Sequence, residues 1–386
     1  MSYRTTFLIL CSTLFSAFAL SPPYFSENRR HVAENLNSLS AQGLLTPGLS
    51  SVFAVLSSLP SAQLNDALDQ LHPAPYSALI EMQAEIGGQV LSLFHAEPQL
   101  HCGCDGGWRA WAEPMGNWLK EGSLGQQTGF YAKTLGIAAG IDKRVGRYWT
   151  VGGGLIWNVS DLTWRENRGG GAVHRYLGAC FADFKIDCFY CGLSLYGGID
   201  RNDLRRKIQF SHIDRTADGT FNAIDLGGQF SAAYLFGMPY VLLYPYALCD
   251  FLYFDAESFG EGQAGSLNLN VRSYSGGTIR TEAGIALELQ DLNWTETVCV
   301  APKFGIGWAM ECPLYRSSLT ASFAGEPLSF QAAGWDHAWQ LLALDFGLRV
   351  SFYGFALSGE YQTEIAPKGR FEFWGQRGDI GLEYYW

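Results

Sequence analysis

The chain has 386 residues, 48% of them apolar and 16% charged, against roughly 25% charged in an average soluble domain. Its 12 Trp, 19 Tyr, 25 Phe and 45 Gly exclude a disordered or collagen-like chain, and a formal charge of −11 disfavours a nucleic-acid partner. Beyond the N-terminus no apolar run approaches the roughly 20 residues that a spanning helix needs, so the composition points to a β-barrel of a bacterial outer membrane.

Residues 1–19 read as a secretory signal peptide, with Arg4 as the positive start, Phe7 to Phe15 as the apolar stretch and Ala17-Phe18-Ala19 as an A-x-A cleavage site. Pro22-Pro23 argues against a continuing helix. Cys11 follows Leu10 rather than a small residue, so it is not a lipid-anchor cysteine. The expected location is the outer membrane, reached after signal-directed export.

Residues 20–75 read as a short helical segment. Leu64, Ala67, Leu68 and Leu71 mark an amphipathic run from Ser61, ended by Pro73 and Pro75. A second run, Tyr76 to His95 within a unit 76–100, carries Leu79, Ile80, Ile86, Val90, Leu91 and Phe94 at helical spacing. It would be about 30 Å long at ~1.5 Å per residue, close to the hydrocarbon thickness of a bilayer. Gly87-Gly88 costs it about 2 kcal/mol relative to two alanines. Two readings stand: a helix packed on a core, or a slim helix inside a pore, where glycines permit close approach.

Eight cysteines follow the leader: Cys102, Cys104, Cys180, Cys188, Cys191, Cys249, Cys299 and Cys312. Export permits disulfides, but eight cysteines allow 105 pairings. Cys102-Gly103-Cys104 beside His101 and Cys188-Phe189-Tyr190-Cys191 have ligand-like spacing without a second half-site. They read as disulfide candidates or small strand residues, and no metal or cofactor is assigned.

From residue 101 to 386 the pattern is that of the barrel, and from Trp108 the apolar period becomes two. Phe304, Ile306, Trp308 and Met310 alternate with Lys303, Gly305, Gly307 and Glu311; Leu344, Phe346, Leu348 and Val350 alternate with Asp345, Gly347, Arg349 and Ser351. Strands are expected near 108–119, 129–141, 148–163, 173–185, 189–200, 221–235, 240–254, 277–289, 296–311, 336–351, 354–365 and 377–386. Twelve is an even number, as bacterial barrels require. Short connections (Asp142–Arg147, Phe236–Pro239, Gln290–Thr295) alternate with long ones (Arg201–Thr220, Asp255–Gly276, Cys312–Trp335). That is the rhythm of periplasmic turns and outer loops. Trp149, Trp164, Tyr240, Trp294, Trp335 and Trp339 are expected in aromatic girdles.

No nucleophile, metalloprotease or phosphate-loop motif appears. The charges on the inward register are Asp142, Arg280, Glu282, Glu288, Lys303, Glu311, Asp345, Arg349 and Glu360. They are expected to line a hydrated lumen, paired across strands or against a plug helix, rather than to catalyse.

The chain ends Asp379-Ile380-Gly381-Leu382-Glu383-Tyr384-Tyr385-Trp386. This resembles the C-terminal assembly signal of outer-membrane barrels, with Asp379, Gly381, Tyr384 and Trp386 in the matching positions. Such a strand is ready to pair by its edge before closure. More of the chain resembles the translocator domain of bacterial autotransporters (type V secretion). Ala67-Leu68-Asp69-Gln70-Leu71 matches the leader, and Trp111-Ala112-Glu113 with Gly116 and Trp118 the first strand. Pro245-Tyr246-Ala247, Phe259-Gly260-Glu261 and Leu267-Asn268-Leu269 match mid-barrel motifs. Pro302 to Trp308 matches a later strand, and Leu357 to Gln362 the penultimate one. The resemblance covers roughly residues 60–386.

The resemblance implies a 12-stranded antiparallel up-and-down transmembrane barrel with a helix through the pore. Its task would be to insert and let an N-terminal segment reach the cell surface. Outer-membrane lipid, the barrel-assembly machinery and periplasmic chaperones are the implied partners of a monomeric barrel without a cofactor. Here only residues 20–75 precede the pore helix, without a β-helix repeat, so a short passenger is expected. Some family members cut their own pore helix with an asparagine; the Tyr76–His95 run has none, so no such cleavage is expected. The rival readings are a stand-alone channel or structural barrel with periplasmic N-terminal helices, and a secreted soluble β-rich enzyme or lectin.

Overall fold

A computed structural model describes residues 20, 25–94, 107–123, 127–289, 292–295, 298–315, 317–334, 336, 338–366 and 373–385. The signal-peptide expectation for 1–19, Cys102, Cys104, Trp335 and Trp386 lie outside those residues. Among the described residues four α-helices precede the strands: α1 (Glu27–Ala41), α2 (Pro47–Ser58), α3 (Ser61–Asp69) and α4 (Ala78–Phe94), with a 3-10 turn at Ala74–Ser77. Eighteen strands follow: β1 (Trp108–Glu121), β2 (Phe130–Val145), β3 (Trp149–Trp164), β4 (Gly169–Ile186), β5 (Phe189–Phe210), β6 (Ile213–Tyr234), β7 (Phe236–Met238), β8 (Val241–Ala256), β9 (Phe259–Gly260), β10 (Leu269–Val271), β11 (Tyr274–Leu289), β12 (Leu292–Thr295), β13 (Val298–Pro313), β14 (Ser318–Phe323), β15 (Ser329–Ala333), β16 (Trp339–Phe352), β17 (Phe355–Ile365) and β18 (Phe373–Tyr385).

Twelve long strands form a closed antiparallel barrel in the order β1-β2-β3-β4-β5-β6-β8-β11-β13-β16-β17-β18. Closure is the β1–β18 pairing, in register from Arg109↔Tyr385 to Glu121↔Phe373. It leaves no unpaired edge, as lipid demands. Outward positions are apolar and exposed: Leu135, Ile137 and Ile141 on β2, Leu155 and Trp157 on β3, Ile285 on β11, Phe304, Ile306 and Trp308 on β13. A water-soluble sandwich would have buried that face. One end of the barrel has tight turns, such as Tyr353-Gly354, both at positive φ, which join two strands without splaying them. The other end carries the segment 257–273 and the described residues of 314–338.

The alternation continues past the lipid belt in one place. β5 and β6 are 22 residues each, paired to Phe210↔Ile213. The stretch Arg201–Thr220 is therefore a hairpin and not a loop. Outward residues change from Leu193, Leu195 and Ile199 to Arg201, Asp203 and Arg205, so the hairpin leaves the lipid while its backbone bonds continue. Trp164 and Trp339 also depart from the girdle expectation. Both sit on the inward register and are 1% and 6% exposed, whereas Trp149 and Tyr240 face outward.

Above the looped end lies a four-stranded antiparallel sheet, β15-β14-β10-β9. Leu267, Leu269, Val271, Leu319, Phe323 and Phe330 of this sheet and its flanks share one core with Val32, Leu36, Leu39, Leu49, Val52 and Leu56 of α1 and α2. Helices of 9 to 15 residues are marginal alone, so this packing supplies what propensity does not. α1 also closes the edge of β15. Asn28 accepts from Ala333 N–H at 2.6 Å and donates to Ala333 C=O at 3.3 Å, and His31 Nδ1 meets Gln331 O at 2.8 Å. α2 starts at Pro47 with Thr46 Oγ1 accepting from Leu49 N–H, and Thr46 N–H donates to Glu326 at 2.8 Å. The N-terminal helices thus form a cap over the looped end.

Candidate functional site

The site is the lumen and the helix inside it. α4 spans 17 residues, about 25 Å at ~1.5 Å per residue. Its polar side chains Glu81, Gln83, Glu85 and Gln89 are all buried, which places them against the barrel wall. Gln83 donates to Asp200 at 2.6 Å, and Gln89 to Gly116 C=O at 3.2 Å. Glu85 faces Arg280 at 3.8 Å, and Arg280 also holds Glu282 at 2.6 Å and Glu364 at 2.7 Å. Arg377 approaches the same Glu364 at 3.6 Å. Opposite them Arg175, buried with Asp200 and Asp225 at 3.2 and 3.5 Å, carries the β4–β6 side. Tyr196 donates to Asp225 at 3.0 Å. A buried charge is strongly destabilising when left unpaired, and here each of these arginines faces at least one carboxylate across the lumen wall or on α4.

Above α4, the turn at Ala74–Ser77 seats Tyr76 in an aromatic cage. Trp164, Phe221 and Phe259 have ring centroids 5.6, 6.3 and 5.1 Å from it. Its O–H donates to Glu261 at 2.7 Å. Arg206, on the extension of β5, binds both oxygens of Glu261 at 2.8 and 2.6 Å and the Leu267 carbonyl at 2.9 Å. It also donates to Gln70 C=O. Two groups of the N-terminal segment, the Gln70 carbonyl and the Tyr76 hydroxyl, therefore complete a barrel-side ion pair. Burial, reinforced by the Glu261 charge, pushes the Tyr76 hydroxyl well above its ordinary range, so it stays a donor.

Beside this clamp, burial pushes His72 below its ordinary range, only partly offset by Asp69. Its Nδ1 accepts from Ala74 N–H at 3.3 Å, which a protonated ring could not do. Burial raises Asp69, but the polar neighbours His72, 3.7 Å away, and hydrogen-bonded Arg29 outweigh it and hold the carboxyl below the usual range. Arg168 adds a 2.7 Å bond to Asp66.

Below α4 the lumen opens into a cavity of about 230 Å³ toward the tight-turn end. Of the inward charges read from the sequence, Arg280, Glu282, Glu288, Lys303, Asp345, Arg349 and Glu360 line it. Glu282 accepts from Tyr246 at 2.7 Å, Arg349 binds Glu383 at 2.7 Å, and Lys303 lies 3.4 Å from Glu360. Asp142 is buried, 2.7 Å from Arg109. Glu311 is buried higher, in the electrostatic neighbourhood of Glu81 and Glu85. Asp379 and Gly381 face inward, and Tyr384 faces outward with Ile380 and Leu382.

Sequence reading missed Arg109, Arg175, Asp200, Asp225, Glu364 and Arg377, the partners that complete this lining. Parity along the strands was the available signal. Arg175 and Asp200 fall at the ends of the expected strands, where parity has few apolar neighbours to anchor it. Among the described residues no three His, Cys, Asp or Glu side chains form a metal-holding group. Cys180, Cys188, Cys191, Cys249 and Cys312 are free thiols.

The sequence profile described as the autotransporter beta-domain matches residues 110–362, more than half of the chain. The chain belongs to the autotransporter β-domain family. The barrel is therefore an outer-membrane translocator, and its family's work is transport. Among solved structures, the translocator domain of the autotransporter NalP from Neisseria meningitidis superposes with a TM-score of 0.63 at 16% identity. The match covers 81% of this chain and 99% of that one. The β domain of the Bordetella autotransporter BrkA gives 0.52 at 16%, covering 73% and 100%. At these identities both likenesses concern the fold alone. No curated protein sequence matches the chain.

Proposed function

We propose that this translocator carries residues 20–75 through its barrel and then keeps them, as a cap fixed to its own outer loops with α4 left behind as the plug. The observation that carries this reading is the docking of α1–α3 on the looped end of the barrel, which in bacterial barrels faces the outside. Periplasmic N-terminal helices would lie at the tight-turn end instead. The cap is held by polar bonds to Ala333, Gln331, Glu326, Gln209 and Arg206 as well as by its core. A segment held so widely is a retained surface module rather than a released passenger.

The same reading takes residues 1–19 as a cleaved export signal and the residues Asp379 to Trp386 as the signal for the barrel-assembly machinery, with periplasmic chaperones before insertion and a monomer after it. The charged lining serves to seat the plug, not to catalyse. An epitope inserted between Ser26 and Glu27 tests retention. It is expected to remain with the cells on a full-length chain and to be removed by external protease. Recovery of the tag in the culture fluid on a shortened fragment would overturn the retained cap.

A further inference from the structure

Two glycines in the plug region are occupied by a neighbour from the other side. Tyr196 projects from β5 onto α4 at Gly87, where a Cβ would lie 2.4 Å from the Tyr196 hydroxyl and 2.7 Å from Leu252 Cδ2. Tyr196 has little freedom to yield. Its ring lies on Gly227, where a Cβ would be 2.1 Å from Cε1, and its hydroxyl is bonded to Asp225. Conversely, Ile80 projects from α4 onto Gly276 of β11, where a Cβ would meet three Ile80 carbons at 2.5 to 2.8 Å. The wall has a knob that fits a notch in the helix, and the helix has a knob that fits a notch in the wall.

We propose that these reciprocal notches, Tyr196 on Gly87 and Ile80 on Gly276, are a register stop that sets where the exported chain comes to rest in the pore. The inference rests on the export reading above. A helix sliding by one turn, about 5.4 Å, would bring Gln83 or Leu91 under Tyr196. A shift of three residues would bring Ala84 or Val90. Each carries atoms where there is room for none. The same slide lifts Ile80 off Gly276, a position where the wall has no side chain, and sets it against wall positions that have one. Hydrogen bonds such as Gln83 to Asp200 could re-form with water during sliding, whereas a steric notch fits in one register only. The adjacent Gly88 is an internal contrast. A Cβ there would meet nothing closer than 3.7 Å, so only Gly87 is required by size.

The test is the full-length chain in planar lipid bilayers, reading the frequency of large openings that mark an unseated plug. Gly87→Ala and Gly276→Ala are expected to raise that frequency about tenfold or more, as a core overpacked by one methyl does. Gly88→Ala, an equal gain in helix propensity, is expected to leave it within about twofold. Adding Tyr196→Phe to Gly87→Ala removes the nearest atom and is expected to restore at least about a third of the lost seating. Equal behaviour of Gly87→Ala and Gly88→Ala, in barrels that still migrate as folded unheated bands, would overturn the stop. External protease access to the Ser26–Glu27 tag is read in the same strains. If that tag stays protected in all of them until the outer membrane is opened, the export reading fails, whatever the openings show.

Discussion

Replacing Arg206 with alanine isolates the clamp that joins cap, plug and barrel. Arg206 is 1% exposed, and its guanidinium holds both oxygens of Glu261, the Leu267 carbonyl and the Gln70 carbonyl. Truncation leaves Glu261 buried, with only Tyr76 O–H and Leu269 N–H as donors, and leaves two carbonyls short of a partner. Breaking a buried pair by removing one member costs about 3–5 kcal/mol. The loss falls on docking of residues 69–77, because the barrel ladder does not pass through Arg206 side-chain bonds. Three kcal/mol is on the order of a hundredfold in the undocked population. Protease cleavage follows that population when opening and closing are fast.

External protease on intact cells should therefore cut Arg206→Ala within residues 69–77 at least about tenfold faster than the parent, a conservative fraction of that shift. Arg206→Lys should fall between them, since one ammonium cannot span the Glu261 fork and both carbonyls. Tyr76→Phe loses one hydrogen bond to a charged group, about 1.5–3 kcal/mol, and should cut more slowly than Arg206→Ala. Cleavage of Arg206→Ala within about twofold of the parent would refute the clamp, provided the barrel still shifts on heating.

Other consequences concern the cap, the belt and the last strand. His72 is neutral when docked and its folded value lies below the free value of about 6.5, so docking is at full strength above that pH and weakens as pH falls through the window below it. Asp69, also lowered, extends the loss into more acid solution. Protease access to the cap should rise between pH 7.5 and 5.5, and His72→Gln should flatten the rise. Ile285→Arg, on the outward face near mid-belt, should destabilise the barrel by about 2–4 kcal/mol in urea titrations in lipid, whereas Ile224→Arg near the outer rim should cost about 0–1. Trp386→Ala should lower the amount of heat-modifiable barrel in the outer membrane, with unfolded chain accumulating in the periplasm; unchanged assembly would remove the C-terminal residue from the signal.

The barrel was legible because lipid requires one face of every strand to be apolar, as in Phe304, Ile306 and Trp308. The β5–β6 extension was not legible for the same reason. Beyond Ile199 the outward face meets water and Arg201 and Arg205 replace leucines, so the apolar outward face that marks a spanning strand is gone although its hydrogen bonds continue. The outer sheet escaped notice because β9, β10 and β15 are 2, 3 and 5 residues long, too short for a period to register. Inward charges such as Asp142 and Arg349 followed from parity. Their partners Arg109 and Glu383 did not, because parity alone does not fix register: Arg109 meets Asp142 through the β1–β2 pairing, and Arg349 reaches Glu383 across β17.

The central claim is that the cap and the tight turns lie on opposite sides of the membrane. An epitope at the exposed turn Gln42-Gly43 and another at Tyr353-Gly354, each in an otherwise unaltered chain, measure it directly by antibody binding to intact and permeabilised cells. The account predicts that the first is bound on intact cells and the second only after permeabilisation. Binding of the first tag only after permeabilisation would contradict it.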